Sequence, residues 1–303
     1  MYLDIDVCGI HLRHPVMNAS GILGSHREHI ARLAAYGVSA IVTKTITSQP
    51  REGYETPIVI ELPSGGVLNA VGLANPGKEA IHELVAEAKK FGLPIIVSIG
   101  GRDEREFVDV AIEAEKSGAD AIELNLSCPH AKGYGIEIGS EPNIVRTIVR
   151  EVSSVLRIPV IAKLGICDKL VTSASRALEA GARALTLINT VRAMYIDVFS
   201  AKPVLSNVFG GLSGPPIHPL AVRAIYEVYR ELKAEIIGCG GVYDWRSAAE
   251  MILAGARAVQ IGTAFIHGSG RKVVESILSG LREWLRILGL KSIYEAIGLA
   301  QRV

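Results

Sequence analysis

A six-residue pattern that occurs four times constrains the fold more than any other feature of this sequence. The pattern begins with a small or aromatic residue and a glycine, continues with Ala or Val and then any residue, and ends with Ala and an aliphatic residue. Its four copies are residues 36–41, 117–122, 180–185 and 254–259. In each copy the glycine stands where an amphipathic helix would end, and the last two residues begin a short apolar strand. Four such helix-to-strand transitions predict an alternating α/β fold.

Four more apolar runs alternate with these copies, which brings the number of predicted strands to eight. They are residues 15–17, 94–97, 159–163 and 235–238. The segments between strands have helical period, and one of them follows Asp103, with Glu106 placed three residues later as in a capped helix start. Eight βα units predict a single (β/α)8 TIM barrel over residues 1–303, with an open doubly wound sheet as the alternative.

Three segments depart from this regular spacing. Residues 2–14 form a hairpin-like segment before the first strand, and two insertions occupy roughly residues 46–76 and 191–217. Because both insertions follow strands, we expect them to lie over the C-terminal face of the barrel, where active sites of this fold are built.

Composition narrows the class of protein. Residues are 49% hydrophobic but only 5% aromatic, so the core is aliphatic, which suits parallel strands covered by helices. The net charge of +1 and the lack of a basic run argue against nucleic acid, and no segment is typical of a membrane span or secretion signal. The four cysteines have no metal-ligand spacing, so we expect no metal site, reduced thiols and a cytoplasmic location.

The stretch from Asn125 to His130 holds the strongest candidate for catalysis. It follows an apolar strand and places an amide, a hydroxyl and the thiol of Cys128 within four residues, before a proline ends the strand. A catalytic thiolate base is expected at the C-terminal end of a barrel strand. The alternative is a buried structural cysteine, which behaves as a small hydrophobic residue.

Glycines after the seventh and eighth strands predict a phosphate site, because they let backbone N–H groups approach a phosphate closely. The relevant segments are Gly238-Cys239-Gly240-Gly241 and Gly262-Thr263, with the glycine-rich residues 210–214 nearby. Tight βα turns are the alternative. Lys44 and Lys163 end two strands and should point into the barrel mouth, where each needs an anion. A structural salt bridge is the alternative for either lysine.

Asparagines are placed unusually. Six of them lie at strand ends or in the insertions, on the side of the barrel where a site is expected. An amide side chain offers both a donor and an acceptor, so it can bind a ring with alternating N–H and C=O groups. Asparagines that form turns are the alternative. The six are Asn18, Asn69, Asn75, Asn125, Asn189 and Asn207. The residues alone therefore predict a barrel with a phosphate-bearing cofactor, but they leave the reaction class open.

The motif Asn125-Leu126-Ser127-Cys128-Pro129 resembles the active-site loop of class 1 dihydroorotate dehydrogenases, and the resemblance extends along nearly the whole chain. The segments at residues 18–21, 43–45, 187–190 and 210–215 match further motifs of that family. Residues 69–77 resemble the substrate loop of the class 1B branch in particular.

This resemblance implies FMN across the barrel mouth and oxidation of (S)-dihydroorotate to orotate, in pyrimidine biosynthesis, with Cys128 as the base. The implied FMN contacts are Ser20, Lys44, Thr45, Ser98, Asn125, Lys163, Ile188, Gly214, Gly240, Gly241, Gly262 and Thr263. The implied substrate contacts are Lys44, Asn69, Ala70, Val71, Gly72, Leu73, Asn125, Asn189 and Thr190.

The class 1B resemblance also implies a homodimer, and possibly a heterotetramer, with a partner subunit that carries FAD and a 2Fe–2S cluster and passes electrons to NAD. This chain departs from the family pattern at Ser98, His130 and residues 165–167. One alternative is a dihydroorotate or dihydropyrimidine dehydrogenase that uses fumarate or another acceptor. The others are a non-redox barrel that binds a substrate phosphate and a catalytically silent flavoprotein that serves as a docking subunit.

Overall fold

The computed structural model describes residues 1–127, 136–266 and 268–302. Its first nine strands are β1 (Ile5–Val7), β2 (Ile10–Leu12), β3 (Val16–Asn18), β4 (Ile41–Val42), β5 (Val59–Glu61), β6 (Val67–Asn69), β7 (Ile95–Ile99), β8 (Ala121–Asn125) and β9 (Val160–Leu164). The remaining strands are β10 (Ala184–Leu187), β11 (Val191–Ala193), β12 (Ile196–Asp197), β13 (Lys202–Pro203), β14 (Gly210–Ser213), β15 (Ile236–Cys239) and β16 (Ala258–Ile261).

The described residues form ten helices, of which eight each follow a barrel strand and cover the barrel from outside. The ten helices are α1 (Arg27–Tyr36), α2 (Ile81–Lys90), α3 (Glu104–Lys116), α4 (Ile136–Gly139), α5 (Pro142–Val155), α6 (Leu170–Glu179), α7 (His218–Leu232), α8 (Trp245–Ala254), α9 (Gly270–Ile287) and α10 (Ile293–Ala296). Short 3-10 turns occupy Lys78–Ala80, Pro215–Ile217, Thr263–Phe265 and Leu299–Gln301. Among the described residues, no helix is long and apolar enough to cross a membrane.

Eight parallel strands form the barrel in the order β3-β16-β15-β10-β9-β8-β7-β4, and all eight correspond to strands predicted from the sequence. The two end strands are joined by a short seam. Ser39 N donates to Val16 O at 2.9 Å, and the side chain of Asn18 accepts from Val42 N and donates to Val42 O. The predicted (β/α)8 barrel is therefore confirmed over the open sheet.

Local sequence explains why the helices begin and pack where they do. Asp103 caps α3 by accepting from Glu106 N at 2.9 Å, and this helix buries Phe107, Val110 and Ala111 against the barrel. Asp244 caps α8 in the same way and forms a reciprocal capping box with Ser247. The barrel strands are buried on both faces, so their sequences are mainly apolar.

The two insertions meet above the C-terminal ends of the barrel strands. Strands β5 and β6 of the first insertion and β11 and β14 of the second form one antiparallel sheet in the order β11-β14-β6-β5. Gly211 pairs with Asn69 in this sheet. The expected position of both insertions is confirmed, and the hairpin predicted within residues 2–14 is the antiparallel pair β1–β2.

Candidate active site

A cavity of about 430 Å³ lies between the C-terminal ends of the barrel strands and the sheet built from the insertions. Its size is typical of small-molecule sites. Its walls include Ser20 and Lys44 after two barrel strands, Asn69 from the insertion sheet, and Ile188 and Asn189 after β10.

Almost all residues predicted to bind cofactor or substrate line this cavity. The members that line it are Ser20, Lys44, Thr45, Asn69, Val71, Gly72, Leu73, Asn125, Lys163, Ile188, Asn189, Thr190, Gly214, Gly240, Gly241, Gly262 and Thr263. The cavity is also lined by residues that were not assigned as individual contacts: Ala19, Gly21, Ser213 and Cys239, which lie within the predicted site segments, and Ile22, Val59, Val67, Ile217 and Ile266, which lie outside them. The five residues outside those segments are apolar, and no local sequence signal distinguishes them from core residues.

Two predicted contacts, Ser98 and Ala70, lie behind the cavity wall, and neither has exposed surface. The Ser98 hydroxyl is 3.1 Å from Thr45 Oγ1, so it supports a lining residue from behind. Ala70 packs in a small apolar cluster with Leu68 and Leu205. Side chains alternate along extended backbone, so Ala70 points away from the face that Asn69 and Val71 present.

Glycine backbone shapes one end of the cavity, at the predicted phosphate site. Gly214, Gly240 and Gly241 have φ of 88°, 114° and 79°, a region that favours glycine. A Cβ added at Gly241 would lie 2.7 Å from Gly214 O and 2.8 Å from His218 Cβ. The three glycines therefore form a cradle, and at Gly241 it leaves no room for a side chain.

A chain of hydroxyl and amide groups forms the polar wall. Ser20 Oγ lies 3.2 Å from Thr45 Oγ1, which also accepts from Asn125 Nδ2 at 3.0 Å. Asn189 Nδ2 donates to Asn125 Oδ1 at 3.1 Å and to Ser127 O at 3.2 Å. These bonds fix the orientation of both amides in the site.

The interpretation of six ring-binding asparagines is wrong for three of them. Asn18 is buried in the barrel seam described above. Asn75 is also buried, where its side chain bonds Thr47, Leu73 O and Gly77 N. Asn207 donates to Phe209 O at an exposed turn. The other three, Asn69, Asn125 and Asn189, line the cavity.

The two lysines have different environments. Lys44 Nζ is exposed and donates to Gly21 O at 2.9 Å. Lys163 is buried, and its Nζ contacts Glu123 Oε1 at 3.3 Å and Gln260 Oε1 at 3.1 Å. Burial opposes the charge on Lys163, but the Glu123 carboxylate outweighs it, so the pKa of Lys163 is raised. The anion that Lys163 was expected to need is therefore present within the chain, at Glu123.

The catalytic candidate Cys128 lies outside the described residues, as does His130, and Ser127 is the described residue that precedes them. Of the described thiols, Cys239 lines the cavity, and burial raises its pKa, which keeps it protonated. Cys8 lies away from the site, with burial and Glu235 raising its pKa to about 12. No group of histidine, cysteine and carboxylate side chains among the described residues could hold a metal ion.

Comparison with known proteins gives consistent results along the chain. A family model described as dihydroorotate dehydrogenase matches residues 2–285. A protein of Aeropyrum pernix named putative dihydroorotate dehydrogenase A (fumarate) is 50% identical, over 99% of this chain and 98% of its own length. A protein of Pyrococcus furiosus named dihydroorotate dehydrogenase B (NAD(+)), catalytic subunit, is 45% identical over the full length of both. A protein of the same name from Methanothermobacter thermautotrophicus is 43% identical over 98% of each chain.

Proposed function

The chain belongs to the dihydroorotate dehydrogenase family of oxidoreductases, and we propose that it oxidises (S)-dihydroorotate to orotate with FMN in pyrimidine biosynthesis. The observation that carries the proposal is the cavity at the barrel mouth. It combines a glycine cradle, a buried lysine and the amides of Asn69, Asn125 and Asn189 in one site. As part of the proposal, residues 1–303 act as one cytoplasmic FMN-binding domain.

The residues present fit FMN. Gly214, Gly240 and Gly241, with Thr263, offer backbone to a phosphate, and an added Cβ at Gly241 would collide with its neighbours. Thr45 and Asn125 offer polar groups to the ring system along one wall, and Lys163 offers a cation from below. A fixed cation near a flavin stabilises the negative charge of its reduced form.

Bound FMN supplies an acceptor at N5 for the hydride that leaves C6 of dihydroorotate. The chain's own residues have two tasks. The amides of Asn69, Asn125 and Asn189 bind the alternating N–H and C=O groups of the substrate ring, with Lys44 near its carboxylate. Cys128, as the thiolate, takes the proton from C5, so that the C5–C6 bond becomes double and orotate forms.

Hydrogen bonds around Asn125 support this assignment of roles. Its Nδ2 donates to Thr45 and its Oδ1 accepts from Asn189, so the amide orientation is determined by two partners. Ser127 O accepts a hydrogen bond from the same Asn189 side chain, and Ser127 immediately precedes Cys128 in the sequence. Substrate-binding amides and the backbone that leads to the thiol are therefore held together, as orientation of a base requires.

The names of the relatives divide over the electron acceptor. The Aeropyrum pernix relative is named for fumarate, and the Pyrococcus furiosus relative is named for NAD. We propose the NAD route, through a partner subunit that carries FAD and a 2Fe–2S cluster, within a heterotetramer built on a homodimer of this chain. The described residues offer no cysteine cluster for such a centre. Direct reoxidation by fumarate is the second candidate, which the 50% identity to the first relative favours.

Anaerobic mixing with dihydroorotate tests the reductive half-reaction. The purified chain should be yellow, and its visible flavin band should bleach on mixing. Bleaching should slow by orders of magnitude in Cys128→Ala, since general base catalysis contributes roughly 10²–10⁴-fold. Cys8→Ala is the matched control, because that thiol lies away from the site and should leave bleaching unchanged.

Addition of an acceptor to the reduced protein then separates the two routes. NAD alone should not restore the flavin band, and fumarate should restore it only if the second candidate is correct. A colourless protein that binds no FMN would contradict the proposed function and favour a non-redox barrel. A flavin-loaded protein that dihydroorotate does not bleach would show that the substrate is wrong.

A further inference from the structure

Four polar side chains form a closed hydrogen-bonded group beneath the cavity. They come from four barrel strands: Glu123 from β8, Lys163 from β9, Thr186 from β10 and Gln260 from β16. Lys163 donates to Glu123 and to Gln260, Gln260 Nε2 donates to Glu123 Oε2 at 2.7 Å, and Thr186 Oγ1 donates to the same oxygen at 2.9 Å. The strands of the barrel, not any local segment, bring this group together.

Burial shows how firmly the group is built into the barrel. Glu123 and Thr186 have no exposed surface, and Gln260 and Lys163 are 1% and 3% exposed. Both oxygens of Glu123 accept hydrogen bonds, and the Gln260 amide uses its oxygen for Lys163 and its nitrogen for Glu123. A buried charge is costly unless it is paired and hydrogen-bonded, and Glu123 meets both conditions.

The position of Lys163 links this group to the cavity. Lys163 pairs with Asn125 in the register of β8 and β9, so both residues lie at one level, and both line the cavity. Residues two apart on a strand share a face, which puts Glu123 one layer below Asn125 inside the barrel. Glu123 itself does not line the cavity, so any influence it has on a bound ring passes through Lys163.

We propose that Glu123 is a positioning residue that, with Gln260, holds the Lys163 ammonium as a cation at the floor of the cavity. The inference rests on the proposed FMN site and deepens it, because it assigns the charge that faces the flavin to a carboxylate outside the cavity. Glu123 thereby sets the charge state of Lys163 without contact to cofactor or substrate.

Among the described residues, two titratable groups act on Lys163: Glu123 and Cys239. Thr186 and Gln260 complete its surroundings from the neighbouring and opposite strands, and neither titrates. Burial raises the pKa of Cys239, which leaves the thiol neutral. Burial by itself lowers the pKa of Lys163, and the nearby Glu123 carboxylate raises it by more. Without Glu123, burial would be unopposed, and Lys163 would lose its proton at a lower pH.

The test measures the midpoint potential of bound flavin between about pH 5 and about pH 9, the range into which burial lowers the pKa of a lysine without a partner. No substrate is present. The Glu123→Gln variant should show a break in its pH dependence that the wild type lacks. At acidic pH the flavin potential of this variant should lie above the wild-type value, because the Lys163 cation remains without its carboxylate partner. At alkaline pH it should lie below the wild-type value, because Lys163 has lost its proton. The break should disappear in the double variant Glu123→Gln/Lys163→Met.

Glu115→Gln is the matched control. Glu115 Oε1 accepts from Arg157 N and Ile158 N, just before the N-terminal end of β9, so it is a structural carboxylate at the opposite end of the strand that carries Lys163. This variant should follow the wild-type curve. A Glu123→Gln curve parallel to the wild type in a flavin-loaded protein would overturn the inference, and a wild type without flavin would instead overturn the proposed function.

Gln260→Leu keeps the test decisive if Glu123→Gln does not fold. It removes the amide between Lys163 and Glu123 but keeps the carboxylate. We expect a smaller break in the same direction, and a curve identical to the wild type would overturn the inference. Glu123→Asp, which keeps the charge, should restore most of the wild-type behaviour.

Discussion

Asn189 Nδ2 lies 3.1 Å from Asn125 Oδ1 and 3.2 Å from Ser127 O, so one side chain after β10 joins the polar wall to the backbone that leads to Cys128. Asn189 Oδ1 in turn accepts from Thr190 N at 2.8 Å, which fixes the orientation of this amide. The arrangement predicts that Asn189 affects substrate binding both by direct contact and through the position of Asn125.

Replacement of Asn189 by alanine should therefore weaken the response to dihydroorotate while FMN stays bound. Loss of one or two hydrogen bonds of about 1 kcal/mol each corresponds to roughly a 5- to 30-fold higher substrate concentration for half-maximal bleaching. Anaerobic titration with dihydroorotate, followed by flavin absorbance, measures this concentration. Asn207→Ala, at an exposed turn, is the control. An unchanged dihydroorotate dependence in Asn189→Ala would contradict the substrate role.

Gly241→Ala should abolish FMN retention. The new methyl group would approach Gly214 O to 2.7 Å and His218 Cβ to 2.8 Å, so the cradle has to open. Gly92→Ala is a matched control, because Gly92 also has positive φ (64°) but has nothing within 4 Å of an added Cβ. Both variants should lose about 1 kcal/mol of stability to backbone strain, and the flavin-to-protein ratio after purification should fall in Gly241→Ala alone. Equal flavin content in the two variants would show that the cradle does not hold the phosphate.

The strands were predictable because parallel barrel strands are buried on both faces and so appear as near-continuous apolar runs. The strand ends then gave most of the site, since residues after such strands meet at one end of a barrel. Lys163 could be placed at the barrel mouth in this way. Its partners could not, because Glu123 and Gln260 are 40 and 97 residues away in sequence and meet it only across the closed barrel.

Individual side-chain directions were less predictable than positions. Asn18 and Asn125 both end barrel strands, yet Asn18 bonds the backbone of Val42 and Asn125 lines the cavity. The difference depends on where the barrel closes, which no local pattern reports. One signal was available and was missed: Glu123 is a charged residue within an apolar strand, and a buried carboxylate requires a partner.

Asn18→Ala should destabilise the fold at the barrel seam. Val42 N would lose its acceptor at 2.9 Å, and Val42 O its donor, both in a buried position. An unsatisfied buried group costs about 1–3 kcal/mol, so we expect a loss of roughly 2–4 kcal/mol in the free energy of unfolding. Urea unfolding of the wild type, Asn18→Ala and the exposed Asn207→Ala measures this. Equal midpoints for all three would show that the seam does not depend on the asparagine.

His14 should make the stability of the protein depend on pH in the acidic range. The residue is 5% exposed, and Val16 N donates to its Nδ1 at 3.3 Å while Nε2 lies 3.0 Å from Gly37 O, so the neutral ring fits the site. Burial, with a contribution from Arg13, lowers the pKa of His14 from 6.5 to about 4. Between these two values the unfolded chain binds a proton that the folded chain does not, so stability falls as the pH falls. The shift corresponds to about 3 kcal/mol. Urea unfolding at several pH values should show about 3 kcal/mol less acid destabilisation in His14→Gln than in the wild type, and parallel profiles would mean that folding does not lower the pKa of His14.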